Sequence, residues 1–291
     1  MPSLKAIRTR IRSVKSTQQI TRAMKMVAAA RLRRAQAAVL SARPYSKAMS
    51  AVLDSVAARV DLSRHPLLAQ RDVKRIEVVA ITSDRGLCGG FNATIERRVR
   101  LFVMENEERV ERVTLRTIGR KGHDFFRRRG REIRKNYPGL LSNLKFSAAQ
   151  EIARELAELY LSGEIDEVML VYNEFVSAVT QQVRVLQLLP IESPEPASPG
   201  PGMRLPVEYE YEPDSQAILE DLLPRYLANK VWQALLESLA AENAARMTAM
   251  ENATTNAAEM IAKLTMQFNR TRQAMITKEL VEIVSGAEAL K

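Results

Sequence analysis

The sequence predicts an α/β domain with a mostly parallel sheet, and beside it a long antiparallel coiled coil formed by the N- and C-terminal helices. Three observations carry that prediction. No glycine occurs before Gly86, and neither glycine nor proline occurs from Arg225 to Ser285. Both stretches are rich in Ala, Leu, Met, Arg, Glu and Gln, which form helix cheaply, whereas an interior Gly costs about 1 kcal/mol and a Pro about 3. Between them, short Val- and Ile-rich runs alternate with amphipathic ones, the signature of strand–helix units. The division is residues 1–60 for the first helix, 72–212 for the α/β domain, and 213–288 for the second helix, pairing with the first.

The first helix starts after Pro2-Ser3, with Ser3 as its cap. Leu4, Ile7, Ile11 and Val14 recur at spacings of 3 and 4, the seam of a two-helix coiled coil. That register continues through Gln18, Thr21, Lys25, Ala28, Leu32, Ala35, Val39 and Ala42, so the seam turns polar between residues 18 and 25 and then recovers. Ile20, Met24 and Val27 form a second apolar stripe on the opposite face there, which suggests different partners at different heights. Pro44 is expected to kink the helix, which then resumes to about Arg59.

Arg75–Ser83 (RIEVVAITS) reads as a strand ending in the turn-prone Asp84-Arg85-Gly86. Ala93–Glu108 reads as a helix, Arg112–Ile118 as a strand and His123–Arg129 as a short helix. Ala148–Leu161 is an amphipathic helix, and Glu167–Glu174 and Val183–Leu189 are strands. Ser193–Gly202 (SPEPASPGPG), with four prolines and two glycines, is a loop. Val207–Tyr211 alternates as an edge strand, Pro213-Asp214 opens the last helix, and Pro224 is an early bend. At about 1.5 Å per residue the last helix is long enough to run beside the whole of the first.

The 291 residues carry a net charge of +10, unevenly spread. Residues 1–60 hold 13 Lys and Arg against one acid, Asp54, while residues 207–291 hold 8 bases and 13 acids. The second helix therefore offsets only part of the first, and the excess calls for an acidic partner: protein, nucleic acid or anionic lipid. Lys5, Arg8, Arg12, Lys15, Arg22, Arg33 and Arg34 fall in a sector of roughly 120° on a helical wheel. A solvated face and a partner surface both fit, but no aromatic side chains interleave, which tells against single-stranded nucleic acid. Arg127, Arg128 and Arg129 form a further basic run. One cysteine, Cys88, excludes an intramolecular disulfide and suits a reducing compartment. No apolar run approaches the roughly 20 residues of a membrane span, and the first residues lack a signal-peptide core. A soluble, cytosolic chain is the expectation.

Catalytic chemistry is hard to place. Asp84–Asn92 (DRGLCGGFN) is the one glycine-rich turn after a strand, yet it matches neither GxGxxG nor GxxxxGK[ST], and no lysine follows to meet a phosphate. It reads as a tight strand-to-helix turn or a protein contact, with Cys88 as a small buried turn residue. His65 and His123 have no cysteine or carboxylate at ligand spacing, so neither a metal nor a cofactor is expected. In the last helix, Ala240, Ala241, Ala244, Ala245, Ala249, Ala253, Ala257 and Ala258 bury little area. That suits a slim shaft fitting inside something else.

Five segments resemble the γ subunits of the rotary F-type ATP synthases, of the bacterial type, over nearly the whole length. They are Ile7–Arg34 (IRTRIRSVKSTQQITRAMKMVAAARLRR), Ser41–Tyr45 (SARPY), Asp84–Gly90 (DRGLCGG), Ala244–Met250 (AARMTAM) and Arg272–Gly286 (RQAMITKELVEIVSG). The resemblance implies a non-catalytic rotor shaft on the cytoplasmic face of the bacterial membrane, peripheral to it. Such a shaft couples proton flow through the c ring to ATP synthesis, and the reverse hydrolysis, on three α and three β subunits, with ε beside the α/β foot. It implies ring contacts at Met24, Lys25, Arg246, Arg272, Gln273, Thr277 and Glu279. It also implies foot contacts with ε or the c ring at Asp84, Arg85, Gly86 and Gly90, and at Glu208, Tyr209 and Tyr211. The extra loop and cysteine pair of the plant chloroplast forms are missing here, so a thiol switch of that kind is not expected. A basic coiled-coil binder of nucleic acid or anionic membrane is the competing class, and an independent small-molecule enzyme the third.

Overall fold

A computed structural model describes residues 3–57, 65–177, 180–191 and 215–288. The elements in chain order are α1 (Leu4–Ala57), β1 (Arg75–Ile81), α2 (Phe91–Asn106), β2 (Arg112–Ile118), α3 (Arg120–Arg127), β3 (Ile133–Tyr137), α4 (Phe146–Leu161), β4 (Glu167–Phe175), β5 (Gln181–Leu189) and α5 (Ser215–Glu288). Two compact units result: residues 1–29 with 246–291, and residues 30–245.

The larger unit is a five-stranded sheet in the order β3-β2-β1-β4-β5, parallel except for the antiparallel β4–β5 pair. Alternation sorts each strand's side chains onto two cores. Ile76, Val78 and Ala80 of β1 pack with Phe91, Ile95 and Val99 of α2 and Phe126 of α3. Val79 and Ile81 face the other way, onto Ile152 and Leu156 of α4, Leu53 and Val56 of α1, and Leu219, Leu223 and Leu227 of α5. The chain thus moves outward from β1 to β3 with its helices on one face and returns to β4 with α4 on the other, a doubly wound sheet. In this unit α1 and α5 also meet directly, Asn229 Nδ2 donating to Ser46 Oγ at 2.9 Å.

Set into the second core is a charged cluster. Glu77 is fully buried and Arg116 is 2% exposed. Glu77 accepts from Thr114 Oγ1 (2.6 Å), Arg116 Nε (3.0 Å) and Arg134 Nε (3.0 Å). Arg116 Nη1 reaches Glu155 at 2.6 Å, and Tyr137 OH and Lys135 Nζ donate to the same carboxylate at 2.7 and 2.5 Å. Burial alone would raise the Glu155 pKa; the hydrogen bonds from Lys135, Tyr137 and Arg116 outweigh it and hold the group at about 2.

β3 is a strand the sequence does not announce. Its IRKNY lacks apolar alternation because Arg134, Lys135 and Tyr137 bind Glu77 and Glu155 instead of filling a core. α2 and α3 begin two and three residues ahead of the expected starts. Ser3 does cap α1, its Oγ accepting from the Ala6 N–H at 3.2 Å. The helix continues through Pro44, where the sequence predicts a kink, and α5 continues through Pro224, the predicted early bend. Leu40, whose carbonyl the proline leaves without its N–H, is exposed, so water can satisfy it. The expected strand Val207–Tyr211 and the loop Ser193–Gly202 lie outside the described residues.

The smaller unit pairs the first part of α1 with the last part of α5, antiparallel. Arg8 lies over the Phe268 ring, Thr21 Oγ1 meets Thr254 Oγ1 at 2.8 Å, and Lys25 Nζ meets Glu251 Oε1 at 2.6 Å. The seam read from sequence is the seam observed: Ile7, Thr21 and Ala28 are buried, and Leu4, Ile11, Val14, Gln18 and Lys25 half-buried. Within the larger unit the same register continues through buried Leu32, Ala35 and Val39.

Two stability outcomes follow. Arg116→Ala strands Glu77 in the core with one cation fewer and is expected to cost about 3–5 kcal/mol. Arg112→Ala breaks only the exposed pair with Glu132, which solvent screens, and should leave the stability close to that of the unmodified chain. Denaturant unfolding of the two variants side by side checks the contrast. The second concerns acid. With Glu155 held at about 2 against an ordinary 4.5, its stabilisation is complete above pH 4.5 and lost as pH falls toward 2. Glu155→Gln should be less stable than the unmodified chain at pH 7 and show a shallower loss over that acid range in the same assay.

Candidate functional site

The residues singled out in the sequence occupy three separate places. The first is the polar stretch of the smaller unit's seam. Lys25 sits at a seam position, where an ammonium needs a partner, and Glu251 supplies one from α5. Gln18, Gln19, Arg22, Lys25, Glu251, Thr254 and Thr255 line a groove of about 260 Å³ beside that pair. Met24 is half-buried on the flank, while Ile20 and Val27 of the second stripe are 57% and 54% exposed. Ile20 and Val27 of that stripe are thus left largely uncovered among the described residues. The seven bases of the helical-wheel sector are all exposed as well.

The second place is the end of α5. Its side of the seam runs through Met250, Thr254, Ala257, Ile261, Leu264, Phe268 and Thr271 at spacings of 3 and 4. Arg246 is half-buried at the start of this run. From Arg272 to Ala287 every residue is exposed, among them Met275, Ile276, Leu280, Val281, Ile283 and Val284. The reason is geometric: α1 begins at Leu4, and the register that puts Arg8 over Phe268 leaves none of α1 beside α5 beyond about residue 272. Gln273, Thr277 and Glu279 stand on this stretch, with Thr277 Oγ1 donating to the Gln273 carbonyl at 3.0 Å. Arg246 and Arg272 are about 40 Å apart along the helix axis, so the predicted ring contacts form two zones rather than one site.

The third place is the turn after β1. Asp84 Oδ1 accepts the N–H groups of Arg120 (3.2 Å) and Gly139 (2.9 Å), tying three loops at the carboxyl edge of the sheet. Asn92 Oδ1 accepts from the Ser83 N–H at 2.9 Å, and the Phe91 N–H goes to the Cys88 carbonyl at 3.2 Å. Cys88 is buried, as its small-residue setting predicts. Gly119, at φ +90°, comes so close to β1 that a Cβ there would lie 2.2 Å from the Thr82 carbonyl oxygen. Gly122 likewise donates its N–H to Thr82 Oγ1 at 2.9 Å. In a doubly wound sheet this edge is where nucleotides bind; here its backbone groups serve the fold. Arg85 and Leu87 project from the turn, Leu87 at φ 63° and 63% exposed. Gly86 and Gly90 lie on the same turn, where a Cβ would meet only ordinary van der Waals neighbours, Lys121 and Thr94 respectively. Glu208, Tyr209 and Tyr211 lie outside the described residues.

Sequence reasoning missed Glu251, Thr254 and Leu87. Extending the alternating 3-and-4 spacing back from Leu264 and Phe268 reaches Thr254 but passes over Glu251 to Met250, so Glu251 is found only through the register that sets it beside Lys25. Nothing local marks Leu87, whose left-handed backbone is set by the ties around it.

A family profile described as ATP synthase matches residues 3–290. The ATP synthase gamma chain of Anaeromyxobacter sp. (strain Fw109-5) is 58% identical, and that of Pelotomaculum thermopropionicum 52%, each over all of both chains. Among solved structures, a chain of the Tetrahymena thermophila mitochondrial ATP synthase central stalk and c-ring matches at 26% identity and TM-score 0.62, covering 80% of this chain and 99% of that one. A chain of the Euglena gracilis mitochondrial ATP synthase, in rotational state 3, shares the fold at TM-score 0.69 and 21% identity, over 99% and 94%. No helix among the described residues is long and apolar enough to cross a membrane. With a terminal helix pair, a sheet edge committed to its own ties and full-length identity at this level, the chain belongs to the ATP synthase gamma chain family.

Proposed function

We propose that this chain is the central rotor shaft of a bacterial F-type ATP synthase. It transmits proton flow through a membrane c ring to ATP synthesis, or the reverse hydrolysis, on a ring of three α and three β subunits. It has no catalytic site of its own, and its presence governs the ring's ATPase activity and the proton flow. The observation that carries the reading is the end of α5, where sixteen consecutive residues, 272–287, stand exposed on every face with six large apolar side chains among them. A lone helix of that kind is unstable in water and makes sense inside a sleeve. Residues 1–60 and 213–288 serve as the shaft. Residues 72–212 serve as the foot, meeting ε or the c ring through Asp84, Arg85, Gly86 and Gly90 and through Glu208, Tyr209 and Tyr211. The assembly holds the chain peripherally on the cytoplasmic face of the membrane.

A two-helix pair is not round. Its basic sector points one way and Ile20 and Val27 another, so turning it offers each β subunit a changing surface. Magnitude decides how that surface acts. One charge crossing 100 mV yields about 2.3 kcal/mol, so three or four at roughly 150 mV deliver about 10–14 kcal/mol per ATP. An exposed ion pair is worth about 0–1 kcal/mol. Coupling is therefore shared along Met24, Lys25, Arg246, Arg272, Gln273, Thr277 and Glu279.

Co-expression with the same organism's α and β subunits, with sizing and an ATPase assay, tests the assignment. One copy of this chain per three α and three β, with hydrolysis dependent on it, is the expected product. A chain that stays apart and holds DNA or acidic lipid, released as salt rises from about 50 to 200 mM, would make it a basic coiled-coil binder instead. In the full membrane complex, Arg272→Ala should reduce ATP-driven proton pumping yet leave it measurable. Complete uncoupling by that one change would refute distributed contact.

A further inference from the structure

The Lys25–Glu251 pair is half-exposed, its side chains 38% and 53% accessible, and it opens onto the polar groove of the smaller unit. An ion pair so placed contributes about 0–1 kcal/mol, so it opens at little cost. The groove is also unevenly supplied. Around one carboxylate stand two cations, Lys25 and Arg22, and the amide and hydroxyl donors of Gln18, Gln19 and Thr255, while the Thr254 hydroxyl is engaged with the Met250 carbonyl and Thr21. Arg22 is exposed and pairs with no carboxylate among the described residues. The lining suits one more carboxylate than the chain itself provides. Two amides and the Thr255 hydroxyl offer it hydrogen bonds that bulk water would otherwise supply.

We infer that Glu251 is a built-in competitor for Lys25. When a carboxylate carried by the surrounding ring enters the groove, Lys25 leaves Glu251 for it. When the shaft turns on, Glu251 retakes the ammonium and helps release that carboxylate. The inference rests on the shaft reading and adds to it a handover within this chain. Because a carboxylate waits within contact distance of Lys25, the ammonium is never left unpaired during the exchange. That keeps the grip brief. Without Glu251, each ring carboxylate holds Lys25 until thermal motion alone separates them.

A double-mutant cycle in the reconstituted complex of this chain with its own organism's α and β subunits tests this. At about 50 mM salt and saturating ATP, Glu251→Gln should hydrolyse ATP about two- to fivefold more slowly, the range an exposed ion pair can shift. The difference should shrink as salt rises to about 300 mM. Glu251→Lys, which adds a cation to the groove, should slow turnover further. In a Lys25→Gln background the Glu251→Gln change should have no effect. An equal slowing in that background, an unchanged rate in the single variant, or a faster Glu251→Lys complex would each overturn the exchange. A chain that fails to join α and β at all would overturn the shaft reading, and the exchange with it.

Discussion

Two helices can bury only one stripe of each other, and that limit governs the smaller unit. Each α-helix offers its neighbour the residues at spacings of 3 and 4 and leaves the rest of its circumference in water. Here the stripe runs through Ile7, Thr21 and Ala28 on α1 and through Met250, Ala257 and Leu264 on α5, all buried. Ile20, Met26 and Val27 on one helix and Met260 and Met266 on the other remain exposed. Pairing therefore cannot complete the burial that the sequence encodes. The apolar remainder has a purpose only against a third surface, and the proposed ring supplies one.

The larger unit works under the opposite condition. Its sheet is covered on both faces, so its polar groups must find partners inside. Glu77 on β1 is met by Arg116 and Arg134. Asp166, held below the usual carboxylate range despite burial by hydrogen bonds from Arg75 and Lys74, anchors the start of β1. At the opposite edge, Asp84, Thr82 and Asn92 use up the backbone groups that a dinucleotide fold would turn toward phosphate. The result has the topology of a nucleotide-binding sheet with its binding edge given over to bracing. That is consistent with a part that transmits load and performs no chemistry.

What the sequence made legible divides along the same line. Every α1 seam position was readable, because the 3-and-4 spacing of apolar residues is itself the physical cause of pairing. The strands with apolar alternation, β1, β2 and β4, were readable for a similar reason. β3 was not, since Arg134, Lys135 and Tyr137 earn their places through Glu77 and Glu155, which lie far away along the chain. The α5 seam was obscured by Ala and Thr, whose small side chains give no hydrophobic contrast. Among the candidate contacts, Lys25, Arg272 and Asp84 were proposed from motifs shared with the γ subunits and not from charge or spacing. Only the three-dimensional register brought Glu251 to Lys25.

The polar layer in the seam gives up burial for register. Replacing Thr21 and Thr254 with valine would hide more apolar area, at about 0.8 kcal/mol per buried methylene. Yet an all-apolar antiparallel pair can slide by a heptad and still match apolar to apolar. Sliding this one by seven residues would set Lys25 against Ala258 or Ala244 and Glu251 against Gln18 or Leu32, leaving a half-buried ammonium without a carboxylate. It would also part the Thr21 and Thr254 hydroxyls, which now meet at 2.8 Å. The two contacts share the task unequally. If Lys25 exchanges partners as the shaft turns, its pair cannot guard the register at every moment. The threonine pair at the adjacent seam position can, because nothing in the exchange requires it to open.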